Sequence, residues 1–267
     1  MLELYHGGSS VCSAKVRVGL AEKELDWASH PVNLQKGEQF DPAYLKVNAK
    51  AVVPTLIHDG FIIGESSIIL EFVDALSSTN TLMPEDAHQQ VTAKLWLLRC
   101  LDIHGAINTM TFSTVGRQNI LANRTPEQIA AMIAKMPNPK AAAKRADLMA
   151  KGLDSDHVRS DFDVLHKTLS DMQSALEKGP WMNGDRYSII DTAIISYIDR
   201  LDRLGMSGLW EDRFPRVGDW LEASRKRPSY EAGINAFIPA AAAEGMRNSG
   251  DAIWPEVKAR WEKYLES

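Results

Sequence analysis

Two stretches of this 267-residue chain carry side chains suited to holding an anion or a thiol. The first is Gly7-Gly8-Ser9-Ser10-Val11-Cys12-Ser13. It lies between a strand-like run, Leu2 to His6, and a segment of helical spacing from Cys12 to Lys23. A helix N-terminus presents unpaired N–H groups and roughly half a positive charge, so it stabilises an anion, including a thiolate. A serine hydroxyl there can donate a hydrogen bond to a substrate sulfur and lower a thiol pKa from about 8.5 toward neutrality. The same serines can equally serve as helix caps. Cys12 is a candidate reactive thiol by the same electrostatics.

The second stretch is Val52-Val53-Pro54-Thr55, followed by Glu65-Ser66-Ser67. Pro54 stands just before a strand pattern, where a cis X–Pro bond turns the backbone N–H and C=O of Val53 toward a ligand. Glu65 and Ser66 open the next helix. A carboxylate, a hydroxyl and a helix N-terminus together suit the ammonium and carboxylate of an amino-acid head group. Taken alone, a turn proline and a helix cap explain the same residues. Other polar residues read as structural. Ser188-Ile189-Ile190-Asp191 is a capping box, so Asp191 is assigned to folding. Cys100, in an apolar run, is expected in the core, and His104 reads as a core or groove residue.

The elements that must position these residues follow from periodicity. Strands are expected at Leu2–His6 and Trp27–Val32, with a short helix Pro42–Lys46 begun by proline. Thr55–His58, Asp59-Gly60 and Phe61–Ile63 read as a hairpin. Ser66–Leu76 reads as an amphipathic helix with Ile68, Ile69, Phe72 and Val73 inward. After Ser77-Ser78-Thr79-Asn80 the strand signals stop. Helical patterns cover Val91–Met110, Pro126–Met136, Pro139–Lys151, Val158–Glu177, Ile190–Leu204 and Val217–Lys226. A mixed four-stranded sheet followed only by helices predicts an α/β domain over 1–80 and an all-α domain over 88–267. Residues 113–160 stand out as an insertion. They carry eight Lys or Arg against four Asp or Glu, a net charge of +4 in a chain of net charge −5. A solvated helical face and a lid over a pocket are both open readings.

Composition bounds the function. Hydrophobic residues make up 45% and charged residues 24%, which suits a soluble protein with a real core. The acidic balance disfavours nucleic acid and anionic membrane as partners. Cys12 and Cys100 show neither a disulfide framework nor metal-ligand spacing, so no metal is expected and a reducing compartment is. No signal-peptide pattern opens the chain, and no apolar run reaches ~18 residues. A cytoplasmic location is the expectation.

The order and spacing of these pieces resemble the cytosolic glutathione transferase family. Ser9-Ser10-Val11-Cys12-Ser13-Ala14-Lys15-Val16-Arg17 is similar to its serine-type members, above all the zeta class. Val53-Pro54 and Glu65-Ser66 follow in the family's order. Asn183 to Ala193 looks like its buried capping box, and Phe214-Pro215, Trp220-Leu221 and Arg227-Pro228 resemble its C-terminal helix pattern. The likeness spans nearly the whole chain. The long stretch before Phe162 and the C-terminal tail most resemble the branch that includes bacterial glutathione-dependent β-etherases, although Cys12-Ser13 departs from that branch's Asn-Ser.

The resemblance implies a thioredoxin-like N-terminal domain holding glutathione and an all-helical domain receiving the second substrate. Ser10 matches the catalytic serine, and Ser13 the β-etherase-like one. Val53 and Pro54 match residues that pair with the cysteinyl backbone, and Glu65 and Ser66 those that hold the γ-glutamyl end. Gln39 lies where theta-like members contact the glycyl carboxylate, and Asp102 where an acid reaches the partner subunit's glutathione. Cys12 then takes a packing or supporting role. The implied protein is a homodimer that activates glutathione as substrate, without a metal, for attack on a small hydrophobic, aromatic electrophile. β-Aryl ether cleavage is the closer version. A glutathione-dependent thiol reductase using Cys12, an isomerase, and a non-catalytic ligand-binding protein are the rivals.

Overall fold

The computed structural model describes residues 1–266. Strands β1 (Leu2–His6), β2 (Ala28–Pro31), β3 (Thr55–His58) and β4 (Phe61–Ile63) form one sheet in the order β2-β1-β3-β4. β1 pairs parallel with β2, while β1–β3 and β3–β4 are antiparallel. The β3–β4 turn uses Asp59 (φ 48°) and Gly60 (φ 83°), the pair of positive φ values that a two-residue hairpin needs.

Helices α1 (Val11–Glu22), α2 (Pro42–Leu45) and α3 (Ser66–Ala75) complete the first domain. Leu4, Val16, Leu20, Leu56, Ile69 and Val73 close the core between the sheet, α1 and α3. Tyr44 of α2 packs with Val32 and Val53 in a separate cluster. α1 is buried almost all round, as a helix between two cores must be. Its Val11, Ala14 and Val18 join the core of the helical part.

The rest of the described chain is helical: α4 (Ala87–Ser113), α5 (Val115–Asn123), α6 (Pro126–Ala134), α7 (Pro139–Lys151), α8 (Asp156–Leu176), α9 (Ile189–Arg203), α10 (Pro215–Arg225), α11 (Pro228–Gly233) and α12 (Ala240–Leu265). A small mixed-sheet domain is thus followed by a largely helical one. Among the described residues no helix is long and apolar enough to cross a membrane. Asp191 does the folding work its capping box implied. It accepts from the backbone N–H of Met182 and Ser188 (both 2.9 Å), from Ser188 Oγ–H (2.8 Å) and from Trp220 Nε1–H (2.7 Å). Arg227 of the helical part donates twice to Glu22 of α1 at 2.7 Å and joins the halves. Within the first domain buried Lys23 meets Asp74 at 3.0 Å, and the Asp74 carboxylate also accepts from the N–H groups of Leu82 and Met83 in the connecting segment.

Three expectations need correction. Ile68 of α3 is 55% exposed, not inward. A helix turns ~100° per residue, and Ile69, Leu70 and Val73 fix the buried face. α12 and α5 carry no helix in the periodicity reading. α12 contains Gly245, Gly250 and Pro255, which interrupt a helical pattern, and Gly250 is there for close contact: a Cβ would lie 2.0 Å from the Leu204 carbonyl oxygen. α5 buries no residue at all, so it has no apolar face to detect.

Candidate active site

Ser10 is the N-cap of α1, with extended φ −74° and ψ 123°, and its Oγ accepts from Ser13 N–H at 3.2 Å. The hydroxyl proton is not used by that bond, so the half-buried oxygen can cap the helix and still donate outward. Ser13 sits differently. It is fully buried, and its Oγ accepts from Gly7 N–H at 3.2 Å. It ties the β1–α1 loop to α1 from the inside.

That loop is held tightly. Buried Arg17 donates to the carbonyls of Gly7 (3.1 Å), Gly8 (3.0 Å) and Gly233 (2.8 Å), and stacks over Phe237. Burial and the charge of Arg17 bring His6 down to about 4, so it is neutral. Its Nδ1 then accepts from Arg17 (3.2 Å) and its Nε2–H donates to Ser29 Oγ (2.8 Å). Gly7 presses on the next part of the site: a Cβ there would meet Leu34 at 2.8 Å and Val53 at 3.3 Å.

The Val53–Pro54 bond is cis, and both residues are buried at the start of β3. Tyr44 Oη–H (2.5 Å) and Asn48 Nδ2–H (3.1 Å) donate to the Val52 carbonyl and fix this edge. Gln39 lies in a short 3₁₀ turn, Glu38–Phe40, and its Oε1 is buried without a hydrogen-bond partner. Such an atom is costly unless a ligand or water meets it. Glu65 caps α3 with φ 63° and ψ 110°, a left-handed setting unusual for a side-chain-bearing residue and typical of functional sites. Its exposed carboxylate accepts from Lys50 Nζ at 2.7 Å. Ser66 is the first residue of α3, and its hydroxyl lies beside the Tyr197 phenol of α9.

Val53 thus borders the loop that leads into Ser10, and the opening of α3 meets α1 through the bond from Lys15 to Ser67. Asp102 does not join them within this chain. It is exposed on α4, in helical register with exposed Val91, Leu95 and Leu98.

A second group lies one turn into α1. Cys12 Sγ is 3.8 Å from Tyr197 Oη, and His104 of α4 pairs with the same thiol. Burial opposes the thiolate, but His104, Lys15 and the Tyr197 hydroxyl outweigh it and bring Cys12 from 9.0 to about 7. Burial alone would lower His104, and the Cys12 sulfur reverses the direction. The Tyr197 phenol is pushed well up by burial and by Cys12, so it remains a donor. Lys15, fully buried, lies 5.0 Å from the Tyr197 ring centroid and donates to Ser67 Oγ at 3.1 Å. No local pattern joins His104, Tyr197 and Cys12, which lie far apart along the chain. Two further cations border the region. Arg200 donates to the Ser9 carbonyl at 2.5 Å, and Arg124, from the insertion, donates to the Gln35 carbonyl at 2.7 Å.

Comparison with known proteins agrees with this architecture. Residues 9–76 match the family model of the glutathione S-transferase N-terminal domain, and residues 142–223 match that of the C-terminal domain, together more than half of the chain. Glutathione S-transferase TCHQD of Arabidopsis thaliana is 24% identical, with 89% of this chain and 91% of that protein aligned. The tetrachloro-p-hydroquinone reductive dehalogenase of Sphingobium chlorophenolicum is 26% identical over 86% of this chain and 94% of its own length. The crystal structure of β-etherase LigF from Sphingobium sp. strain SYK-6 has the same fold, with a TM-score of 0.76, 22% identity, and coverage of 87% of this chain and 98% of that one. The chain belongs to the glutathione S-transferase family.

Proposed function

We propose that the protein is a glutathione transferase in which Ser10 and the N-terminus of α1 stabilise the glutathione thiolate for attack on an electrophile bound between the domains. One observation carries this reading. The β1–α1 loop, the Val53–Pro54 edge and the opening of α3 converge on one end of α1, where Ser10 still has a proton to donate. Ser10 takes the activating role rather than Ser13, whose oxygen is buried on Gly7 N–H. Val53 and Pro54 pair with the cysteinyl backbone, Glu65 and Ser66 hold the γ-glutamyl end, and Gln39 donates its amide N–H to the glycyl carboxylate, leaving its buried Oε1 to accept from a glutathione N–H. Residues 1–80 form the glutathione-holding unit and 88–267 the substrate unit. The electrophile is small and aromatic, and the likeness to LigF keeps β-aryl ether cleavage as the closer version.

The protein works as a cytoplasmic homodimer. Val91, Leu95, Leu98 and Leu101 of α4 are each more than half exposed, as are Phe61 and Ile68. An apolar area of this kind favours a second copy. Asp102 on that stripe would then reach the partner's glutathione. Sedimentation at micromolar concentration checks the dimer, and a monomer removes the role of Asp102. The free thiols Cys12 and Cys100 suit a reducing compartment.

Calorimetry with glutathione, followed by turnover against aryl halides, keto acids and β-aryl ethers, tests the main reading. Absence of glutathione binding sinks it. Tight binding without any turnover turns it into a binding protein. A second reading rests on the lowered Cys12 thiol and on the dehalogenase relative: a glutathione-dependent thiol reductase. Loss of turnover on blocking Cys12, with Ser10→Ala active, would select it.

A further inference from the structure

Arg200 is a guanidinium without an anion. Among the described residues it makes no salt bridge, and its hydrogen bond runs from Nη2 to the Ser9 carbonyl. Its neighbour Asp199 is already committed to Arg203 (2.6 Å), Arg225 (3.0 Å) and the Tyr230 hydroxyl. Asp202 is likewise taken by Arg225 and Arg247. Arg203, Arg225, Arg227 and Arg247 all have carboxylate partners, and Arg17 has three carbonyls. Burial holds Arg200 down to about 10, with the neighbouring Asp199 acting the other way.

The chain has no shortage of acid, with 35 Asp and Glu against 30 Lys and Arg. Arg200 is half-buried, and a half-buried guanidinium left without a carboxylate among the described residues is explained if a ligand brings the anion. Its position says which ligand. Arg200 projects from α9 onto the backbone of Ser9, next to the serine proposed to hold the thiol, and Tyr197 on the same helix faces Cys12 and His104. The carboxylates of glutathione are accounted for at α3 and at Gln39 in the reading above, on which this inference rests. We propose that Arg200 binds a carboxylate carried by the second substrate, so that the preferred electrophile is an acidic aromatic rather than a neutral one. A guanidinium suits this task because its planar fork matches a carboxylate with two parallel hydrogen bonds. Arg145 is the competing cation. It stacks 3.3 Å over the Phe112 ring, donates to Asn108 Oδ1 at 3.3 Å, and makes no salt bridge among the described residues.

The test uses two electrophiles with the same reacting carbon: a chloronitrobenzoate with chlorine para to the acid, and the matching chloronitrobenzamide. In each, the glutathione sulfur forms a bond to the ring carbon, chloride leaves, and the thiol proton passes to solvent. Rates are divided by the uncatalysed rate for each compound. The wild-type protein should favour the acid by about tenfold or more in kcat/KM, the size expected for a charged hydrogen bond. Arg200→Met should erase that preference, read as the acid-to-amide ratio of kcat/KM within the variant, while glutathione affinity by calorimetry stays near wild type, and Arg200→Lys should retain part of it. Calorimetry with the two glutathione conjugates gives the same comparison without turnover. Equal treatment of acid and amide by the wild type, or a preference that survives Arg200→Met and disappears in Arg145→Met, overturns the assignment. Glutathione binding with no acid preference overturns this inference alone, whereas no glutathione binding removes it together with the transferase reading.

Discussion

Ser10 and Cys12 stand two residues apart on α1, and the molecule treats them in opposite ways. Ser10 is set by local structure: the helix start, the N–H of Ser13 and a loop pinned by Arg17. Its electrostatics come from backbone that any helix supplies. Cys12 is set by distant side chains, His104 of α4, Tyr197 of α9 and the buried Lys15. The first arrangement leaves a hydroxyl proton for a thiol that arrives from outside. The second tunes a thiol that the protein already owns. A helix start can therefore carry a binding function and a reactive side chain at once, provided that the two face different partners.

The sharpest break of this comparison is Ser10→Ala. Loss of one well-placed donor to the reacting sulfur should lower turnover by about a hundredfold, with a smaller effect on glutathione affinity. Cys12→Ser should leave conjugation near wild type. If the two results exchange places, the two residues exchange roles. His104→Gln tests the other side. With Cys12 at about 7, its alkylation by iodoacetamide should rise through that pH, well below the ordinary 9.0. Removal of the imidazole takes away the largest favourable influence on the thiolate, so the midpoint should move up and alkylation at neutral pH should slow. An unchanged profile in His104→Gln would mean that Lys15 and Tyr197 set the thiol.

The same contrast explains how much of the molecule could be read from the chain. The sheet, α1, α3 and the capping box at Asp191 announce themselves through alternation, Asp59-Gly60 and short-range capping patterns, all local signals. Ser10, Val53, Pro54, Glu65 and Ser66 belong to that class, since each sits at the end of an element. His104, Tyr197 and Arg200 do not. Their meaning depends on the way α4 and α9 pack against α1, and a single sequence does not encode that pairing in any short pattern. α12 was hidden for a different reason. Gly250 serves a close helix contact that only the assembled bundle requires.

A smaller effect separates the two helix starts proposed to face glutathione. Ser66→Ala removes a hydroxyl at the opening of α3 and should weaken glutathione binding by about 1–3 kcal/mol by calorimetry. Turnover at saturating glutathione should hardly change, because Ser66 lies away from the sulfur in the proposed arrangement. Unchanged affinity would move the γ-glutamyl end elsewhere and leave Ser66 as a partner of Tyr197.

The smallest expected effect concerns the insertion over residues 113–160. We propose that its outer part caps the electrophile pocket. The structure narrows which part: α7 contributes Leu148 and Met149 to the core, whereas α5 buries nothing and α6 buries only Ile129. Arg124, at the end of α5, meets the Gln35 carbonyl of the first domain, and this exposed bond is worth under about 1 kcal/mol. Arg124→Ala should therefore raise the electrophile KM by a small factor, with thermal stability and glutathione affinity unchanged. Replacement of residues 115–136 by a short linker is the stronger version. Met132, Ile133 and Met136 are only half-buried there, so the bundle core should survive their loss. Electrophile preference should then change while glutathione still binds. If the shortened protein folds and keeps its substrate profile, α5 and α6 are an external layer and the contact from Arg124 closes nothing.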